Sequence, residues 1–224
     1  MKRAASNGFT LVEVLVAMTV MAIMAVMAWQ GVDGIVRTRN ASQARLEQTL
    51  RLNTVIAQWD QDLASIQDTG GTIPISPTCD GASVRLTRRT PDGIQVVAWS
   101  LRPSDTGSTW IRWASPAVTT VAALQDSWFR SLQLQGDEPG SLRTLNGLST
   151  WQVYFYRDNA WTNCQSSAGT AANPATGAAT VPGTVPTPGA LLPSPRPNGV
   201  RVVLSFAPGS GLNGDLTRDT LLNP

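Results

Sequence analysis

The residues with the clearest chemical potential lie near the start of the chain, where one carboxylate interrupts a long apolar run. Positions 11–29 read LVEVLVAMTVMAIMAVMAW, and Glu13 is the only charged residue among them. A run of roughly 18 or more apolar residues is long enough to cross a membrane as a helix. A charge inside such a span costs roughly 2.5–3.5 kcal/mol on insertion scales. We therefore interpret Glu13 as a functional group that a cation neutralises when the helix is in place.

The residues around Glu13 resemble a known processing signal. Positions 8–13 read GFTLVE, with two basic residues at positions 2 and 3 and the apolar run behind them. This pattern resembles the cleavage and methylation signal shared by type IV pilins and by the pseudopilins of type II secretion. The resemblance implies that the prepilin peptidase cuts after Gly8 and methylates the new N-terminus at Phe9. It also implies that Glu13 pairs with a Phe9 amino group, on the same or a neighbouring subunit, and sets the register of adjacent helices.

Two simpler interpretations of the apolar run remain open. An ordinary secretory signal also has a basic start and an apolar core, and Val26-Met27-Ala28 could be its cleavage site, which gives a protein beginning at Trp29. A plain membrane anchor is the other alternative. Neither interpretation gives the Glu13 carboxylate a function.

The overall charge and the absence of histidine restrict the classes of function. When Lys2 and Arg3 are removed with the leader, the 17 basic side chains become 15, equal to the 15 acidic ones, so no nucleic-acid partner is expected. The chain has no histidine, which removes Ser–His–Asp catalysis and the usual zinc and iron sites. The GxGxxG string Gly209–Gly214 is followed by only ten residues, so we interpret it as a turn. We predict a protein that is not an enzyme and needs no cofactor.

The acidic residues offer only weak alternatives. Asp60 and Asp62 lie roughly 200° apart around a helix, so they do not form a catalytic pair, and we interpret them as solvated helix surface. Asn213, Asp215 and Asp219 lie near a glycine turn and leave a calcium site open as an alternative. Hard cations generally take six or more oxygen ligands, so we predict no metal site.

The chain has two cysteines, Cys79 and Cys164. In a domain exported to an oxidising compartment, the simplest expectation is a disulfide between them. Such a bond closes a long loop, which is worth very roughly 4–5 kcal/mol in the chain-entropy account. Two unpaired core cysteines are the alternative.

The spacing of apolar residues predicts a helix followed by a sheet, an α+β fold. After a membrane helix at 9–29, apolar residues recur at three- and four-residue steps, which predicts an amphipathic continuation at 30–68. Gly31 and Gly34 mark a place where the helix could loosen. The remainder, 69–224, is predicted to form an antiparallel β domain from short alternating runs, which are 84–87, 94–101, 110–113, 151–156 and 200–206. Residues 124–134 suit a strand and a helical turn equally.

Two further features complete the expected organisation. The sequence Thr90-Pro91-Asp92-Gly93 between two alternating runs predicts a hairpin. Residues 165–198 are rich in Ala, Gly, Thr, Ser and Pro, and they predict a mobile insertion because they contain too little apolar surface to offset the entropy of ordering.

The order of these elements is most similar to that of the J-type minor pseudopilin of type II secretion. The resemblance implies a pilin-like fold, an inner-membrane anchor with a periplasmic domain, and a position at the tip of a periplasmic pseudopilus. The partners it implies are the prepilin peptidase, I- and K-type minor pseudopilins and the major pseudopilin. The long insertion departs from the usual J-type pattern. A minor type IV pilin for pilus biogenesis, adhesion or DNA uptake is the alternative, and a secreted enzyme or binding protein is a third.

Overall fold

The computed structural model describes residues 9–104, 107–165 and 196–222. The predicted leader at 1–8 and most of the predicted insertion, residues 166–195, lie outside them. The chain divides into two compact units at Gln48 and Thr49, inside the first helix, and each unit is described by itself. The elements are, in chain order, α1 (Leu11–Ala64), β1 (Thr78–Cys79), β2 (Ser83–Thr90), β3 (Gly93–Ser104), β4 (Gly107–Ala114), α2 (Val121–Ser131), β5 (Ser141–Arg157), β6 (Ala160–Asn163), β7 (Gly199–Phe206) and β8 (Asp215–Leu221).

The second unit contains one antiparallel sheet with the strand order β1-β2-β3-β4-β5-β7-β8. The long strand β5 organises it. Its first half pairs with β4, its second half pairs with β7, and its end also pairs with β6. A long helix packed on an antiparallel sheet confirms the predicted α+β, pilin-like arrangement.

The hairpin predicted at Pro91-Asp92-Gly93 is confirmed. β2 and β3 pair in register up to Thr90 and Gly93. Gly93 has a positive φ of 138°, and a Cβ there would lie 2.5 Å from the Val118 carbonyl oxygen. The turn therefore requires glycine, because a side chain would collide with the backbone that β3 pairs with.

The two helices cover opposite faces of the sheet. Val55, Trp59 and Leu63 of α1 are buried against one face, in a core that contains Trp99 of β3. The alternate β3 residues Val96 and Ala98 belong to a second cluster, which α2 covers through Leu124 and Trp128. This alternation follows from the two-residue period of a strand. The larger core is rich in indole, since Trp59, Trp99, Trp110 and Trp151 pack with ring centroids 4.5–5.9 Å apart.

Three local features of the helices can be compared with the sequence predictions. Helix α1 ends at Ala64, before the predicted end near Asp68, because the next residues hydrogen-bond to β2: the Gln67 N–H donates to the Thr87 oxygen, and the Arg89 N–H to the Ser65 oxygen. The ambiguous stretch 124–134 lies mostly in helix α2, whose N-cap is Thr120. At Gly31 and Gly34 the helix continues without a break, although the sequence suggested that it could loosen there.

Candidate assembly site

The first turn of α1 places Glu13 at a capped helix start. The Glu13 N–H donates to the Thr10 carbonyl oxygen at 3.1 Å and to Thr10 Oγ1 at 3.3 Å, so Thr10 caps the helix. A carboxylate in the first turn also interacts favourably with the helix dipole. The Glu13 side chain makes no hydrogen bond or ion pair to any described residue. Phe9 is 83% exposed, and Gly8 lies outside the described residues.

The apolar surface that follows Glu13 is uncovered. Every residue of 11–29 is exposed, from Leu11 at 80% to Trp29 at 76%. Within the described part of the chain, α1 is the one helix long and apolar enough to cross a membrane, and its most apolar stretch is 0% buried. A helix from the core of a soluble protein would be mostly buried, whereas an anchor or a secretory signal would not. The helix therefore suits a single-pass membrane anchor.

In the second unit, Asp62 is not solvated helix surface, and that prediction is wrong. Its side chain is fully buried and accepts hydrogen bonds from four residues. Arg112 donates from Nε at 2.7 Å and from an Nη at 2.9 Å, and Arg88 donates from an Nη at 2.7 Å. Trp99 Nε1 and Gln58 Nε2 donate at 2.9 and 3.1 Å. The network fixes the last turns of α1 on strands β2, β3 and β4.

Asp60 and Arg51 make two further polar contacts between α1 and the sheet. Asp60 accepts hydrogen bonds from Arg218 at its Oδ2, at 2.7 and 3.0 Å, and at its Oδ1, at 3.3 Å. The Thr220 hydroxyl also donates to Oδ1, at 2.7 Å. Arg51 Nε donates to the Thr144 carbonyl oxygen at 2.7 Å. Together with Asp62, these contacts join one helix to β8, β5 and the centre of the sheet.

The calcium alternative near the C-terminal turn is not supported. Asp219 binds Arg201 through two hydrogen bonds of 2.6 Å, and this contact lowers the pKa of Asp219. Asp215 and Asp219 both lie on strand β8 rather than in a loop. Across residues 9–104, 107–165 and 196–222, no three or more Asp, Glu or Cys side chains form a group that could hold a metal.

The string Gly209–Gly214 lies in the connection between β7 and β8, as a turn.

Cys79 and Cys164 form a disulfide that joins β1 to the residue after β6, with their Cα atoms 5.7 Å apart and a sequence separation of 85. Beside it, Asp80 accepts a hydrogen bond from an Arg85 Nη at 2.7 Å and one from the Ser83 N–H at 2.7 Å. Partial burial raises the pKa of Asp80, but the bonds from Arg85 and Ser83 outweigh burial, so its pKa lies below the usual value. The disulfide and this ion pair stabilise the same edge of the sheet.

Among the residues singled out from the sequence, the structure brings Phe9 and Glu13 close to the same helix start and bonds Cys79 to Cys164. The sequence analysis did not predict the hydrogen-bond network of Asp62, although the helical spacing of Asp62 indicated that it is buried. Asp62 lies three residues after Trp59 and seven after Val55, so it belongs to the buried stripe of α1 rather than to its polar side.

Comparison with known proteins finds similarity at the N-terminus. Residues 3–29 match a family model described as the prokaryotic N-terminal methylation motif. The matched segment contains Gly8, Phe9 and Glu13 and extends to Trp29. It is a type IV pilin-like prepilin signal, the cleavage signal of the prepilin peptidase, and pilin-like proteins with it are structural subunits. A search of the curated proteins found no match to this chain.

Proposed function

We propose that this protein is a non-catalytic structural subunit of a pilin-like filament, held in the inner membrane by residues 9–29 before assembly. The observation that carries the proposal is the apolar helix surface of 11–29, which nothing in the described chain covers and which begins with an unpaired carboxylate. Lipid covers such a surface before assembly, and the helices of neighbouring subunits cover it afterwards.

Processing supplies the partner for Glu13. Hydrolysis of the Gly8–Phe9 peptide bond by the prepilin peptidase leaves a carboxylate on Gly8 and an ammonium group on Phe9, which is then methylated. The Phe9 ammonium group keeps its positive charge after methylation. Inside the bilayer, an ion pair between this group and Glu13 of a neighbouring subunit offsets the burial cost of both charges and fixes the axial register of the two helices.

The second unit is the periplasmic part of the subunit. Its disulfide, Cys79–Cys164, supports an oxidising compartment, because structural disulfides persist outside the cytoplasm. The contacts of Arg51, Asp60 and Asp62 with the sheet support a mechanical role, since they hold the helix and the sheet of this unit together.

Within this class we propose a J-type minor pseudopilin of type II secretion, placed at the tip of the periplasmic pseudopilus. The support is the order of elements: a long helix, an early hairpin of β2 and β3, and the late aromatic strand β5 paired with β7. I- and K-type minor pseudopilins and the major pseudopilin are then its partners, and export of folded proteins is the process it serves.

Mass spectrometry of the N-terminal peptide tests the class of protein. Protein extracted from a membrane that contains the prepilin peptidase is expected to begin at N-methylated Phe9. A Gly8→Leu variant, which blocks the cleavage site, is expected to keep residues 1–8 and to remain unmethylated. A mature protein that begins at Trp29 would mean ordinary secretion and would overturn the filament proposal.

Co-purification tests the finer assignment. A tagged form of the protein is expressed in its native cell and purified after mild detergent extraction. I- and K-type minor pseudopilins are expected to co-purify with it. Recovery with type IV pilus subunits instead would assign the protein to a pilus and overturn the secretion role, while the class of structural subunit would stand.

A further inference from the structure

Helix α2 has an apolar side that points away from the sheet. Leu124 and Trp128 are buried beneath the helix, whereas Val121, Phe129 and Leu132 are 58%, 61% and 49% exposed. Among the described residues outside α1, these three are half of the six exposed large apolar side chains. Single apolar residues scattered over a surface are ordinary, but several on one short element mark a surface that binds something.

The helical spacing places the exposed side chains along one row. At about 100° per residue, Val121, Phe129 and Leu132 lie within about 80° of one another around the helix axis. Leu132 is the C-cap and keeps helical backbone angles, so it continues the row. Gln125 is exposed between Val121 and Phe129, and residues four apart form the ridge that packs into a groove of another helix. These four residues, Val121, Gln125, Phe129 and Leu132, are called the α2 stripe.

Two opposite charges, Asp126 and Arg130, lie beside the α2 stripe. Both side chains are exposed, and both lie on the same side of Phe129 around the helix. An acid one turn before a base is the spacing that favours an ion pair within a helix. Even so, neither forms an ion pair with the other or with a residue elsewhere in the described chain. Both charges are therefore available to a partner.

This arrangement of charge is complementary to an antiparallel copy of itself. In a twofold contact the same patch of each copy meets the other, so the charged side of one helix meets the charged side of its copy. When two antiparallel helices cross at Phe129, Asp126 of each copy lies within one turn of Arg130 of the other. A parallel pair would instead place like charges opposite each other, which is unfavourable. The charges thus favour a second copy and fix its direction.

The small area of the α2 stripe makes such a contact depend on the membrane. Stable interfaces bury about 1,200–2,000 Å² in total, which is more than one side of an 11-residue helix supplies. The helix α1 suits a single-pass anchor, and anchoring confines copies of the chain to one membrane. Confinement raises the effective concentration of each copy near the other, so a weak contact becomes populated.

We propose that the α2 stripe is a self-association surface, through which two membrane-anchored copies of this chain pair by antiparallel α2 helices. The two Phe129 rings meet at the twofold axis, and Asp126 of each copy binds Arg130 of the other. The surface contains neither Glu13 nor the cleavage site at Gly8, so pairing requires neither processing nor filament assembly.

Energy transfer between full-length chains in phosphatidylcholine vesicles tests self-association. Donor and acceptor fluorescent proteins are fused to the C-terminus, and varying the protein-to-lipid ratio gives an apparent dissociation constant. Phe129→Ser is expected to raise that constant about tenfold, since a central aromatic residue is lost. Leu221→Ser, at a residue of β8 that is 78% exposed, is the matched control and should leave the constant unchanged. Near-ultraviolet circular dichroism of the tryptophan core shows that each variant is folded.

Charge reversal tests the antiparallel arrangement. Asp126→Arg and Arg130→Asp, each alone, place like charges across the pair and should also raise the constant about tenfold. A mixture of donor-labelled Asp126→Arg and acceptor-labelled Arg130→Asp should recover the wild-type value, because each variant supplies the charges that the other lacks. Asp215→Arg, an exposed position on β8, makes the same change of net charge and should have no effect.

Two outcomes would contradict the proposal at different levels. Wild-type energy transfer no higher than that of Phe129→Ser at every protein-to-lipid ratio would overturn self-association through α2 and leave a different protein as the occupant of the α2 stripe. Single charge reversals that pair as well as the wild type, or a mixture that shows no recovery, would overturn the antiparallel ion pairs.

Discussion

The two parts of α1 treat a carboxylate in opposite ways. Asp62, near the C-terminal end of the helix, is fully buried and accepts five hydrogen bonds from Gln58, Arg88, Trp99 and Arg112. Glu13, in the first turn, belongs to an apolar stretch that is exposed throughout, and its carboxylate has no partner among the described residues. One charge is satisfied within the chain, while the proposed function assigns the other a partner on a neighbouring subunit.

This difference separates folding from assembly along a single helix. A buried carboxylate with all of its donors in the same chain contributes to the stability of that chain. An unpaired carboxylate on an apolar helix contributes little to folding, and under the proposed function it sets the register in which a neighbouring helix binds. Substitutions at the two ends of α1 should therefore have different consequences, and the comparison can be tested one carboxylate at a time.

Asp62→Asn should cause the largest loss of stability. The change keeps the size of the side chain but leaves Arg88 and Arg112, which are 21% and 12% exposed, without a counter-charge. Breaking a buried pair from one side typically costs about 3–5 kcal/mol. Urea unfolding of the full-length protein in detergent, followed by tryptophan fluorescence, measures the free energy of unfolding.

Asp33→Asn is the matched control, because Asp33 forms an exposed pair with Arg37 one turn later in the helix. It should change the free energy of unfolding by less than about 0.5 kcal/mol. Equal losses for Asp62→Asn and Asp33→Asn would contradict the stabilising role of the Asp62 network.

Asp60→Asn should have an intermediate effect. Arg218 contacts Asp60 with three hydrogen bonds, but its side chain is 50% exposed, so solvent screens the interaction. We expect a loss of about 1 kcal/mol, the upper end for partly exposed pairs. A double-mutant cycle with Arg218→Gln isolates the coupling, and a coupling near zero would mean that this pair does not hold β8 to the helix.

Asp80 should give a small pH dependence. Because its folded-state pKa is lowered, its ion pair with Arg85 contributes stability at neutral pH, and that contribution is lost as the pH falls below about 4 and through the folded-state pKa. The carboxylate is about half exposed, so the contribution should be under about 1 kcal/mol. The free energy of unfolding, measured between pH 7 and pH 3, should fall less with decreasing pH in Asp80→Asn than in the wild type. An identical pH dependence of the two proteins would rule the contribution out.

The parts of the fold that were predicted from the sequence are those set by local pattern. The period of the apolar residues gave the two parts of α1, and Pro91-Asp92-Gly93 gave the β2–β3 hairpin. Residues 124–134 suit a strand and a helical turn equally, so they do not predict helix α2 by themselves. Its cap, Thr120, which accepts the Ala123 N–H at 3.4 Å, comes earlier in the sequence.

Features that depend on distant residues were not predictable in the same way. The partners of Asp62 lie 26, 37 and 50 residues away in sequence, at Arg88, Trp99 and Arg112, so helical spacing alone could not reveal them. The end of α1 at Ala64 also depends on distant residues, since β2 takes over the backbone hydrogen bonds of the residues that follow. The pairing of β5 with β7 depends on distance in the same way, since it joins residues separated by the long insertion.

Glu13→Gln should have the smallest effect on folding and a complete effect on assembly. The substitution keeps the capping bonds of the backbone N–H to Thr10, and the side chain contacts nothing that the second unit needs, so the free energy of unfolding should not change. Loss of the charge removes the ion pair with a neighbouring Phe9 ammonium group, so incorporation into filaments, measured by immunoblotting of sheared and pelleted fibres, should fall to background.

Thr19→Val, which removes a polar group from the same apolar helix without changing its charge, is the matched control and should assemble normally. Normal incorporation of Glu13→Gln would show that the two carboxylates of α1 do not divide folding from assembly. Loss of incorporation with the Thr19→Val control as well would mean that packing of the helix, and not its charge, sets the register.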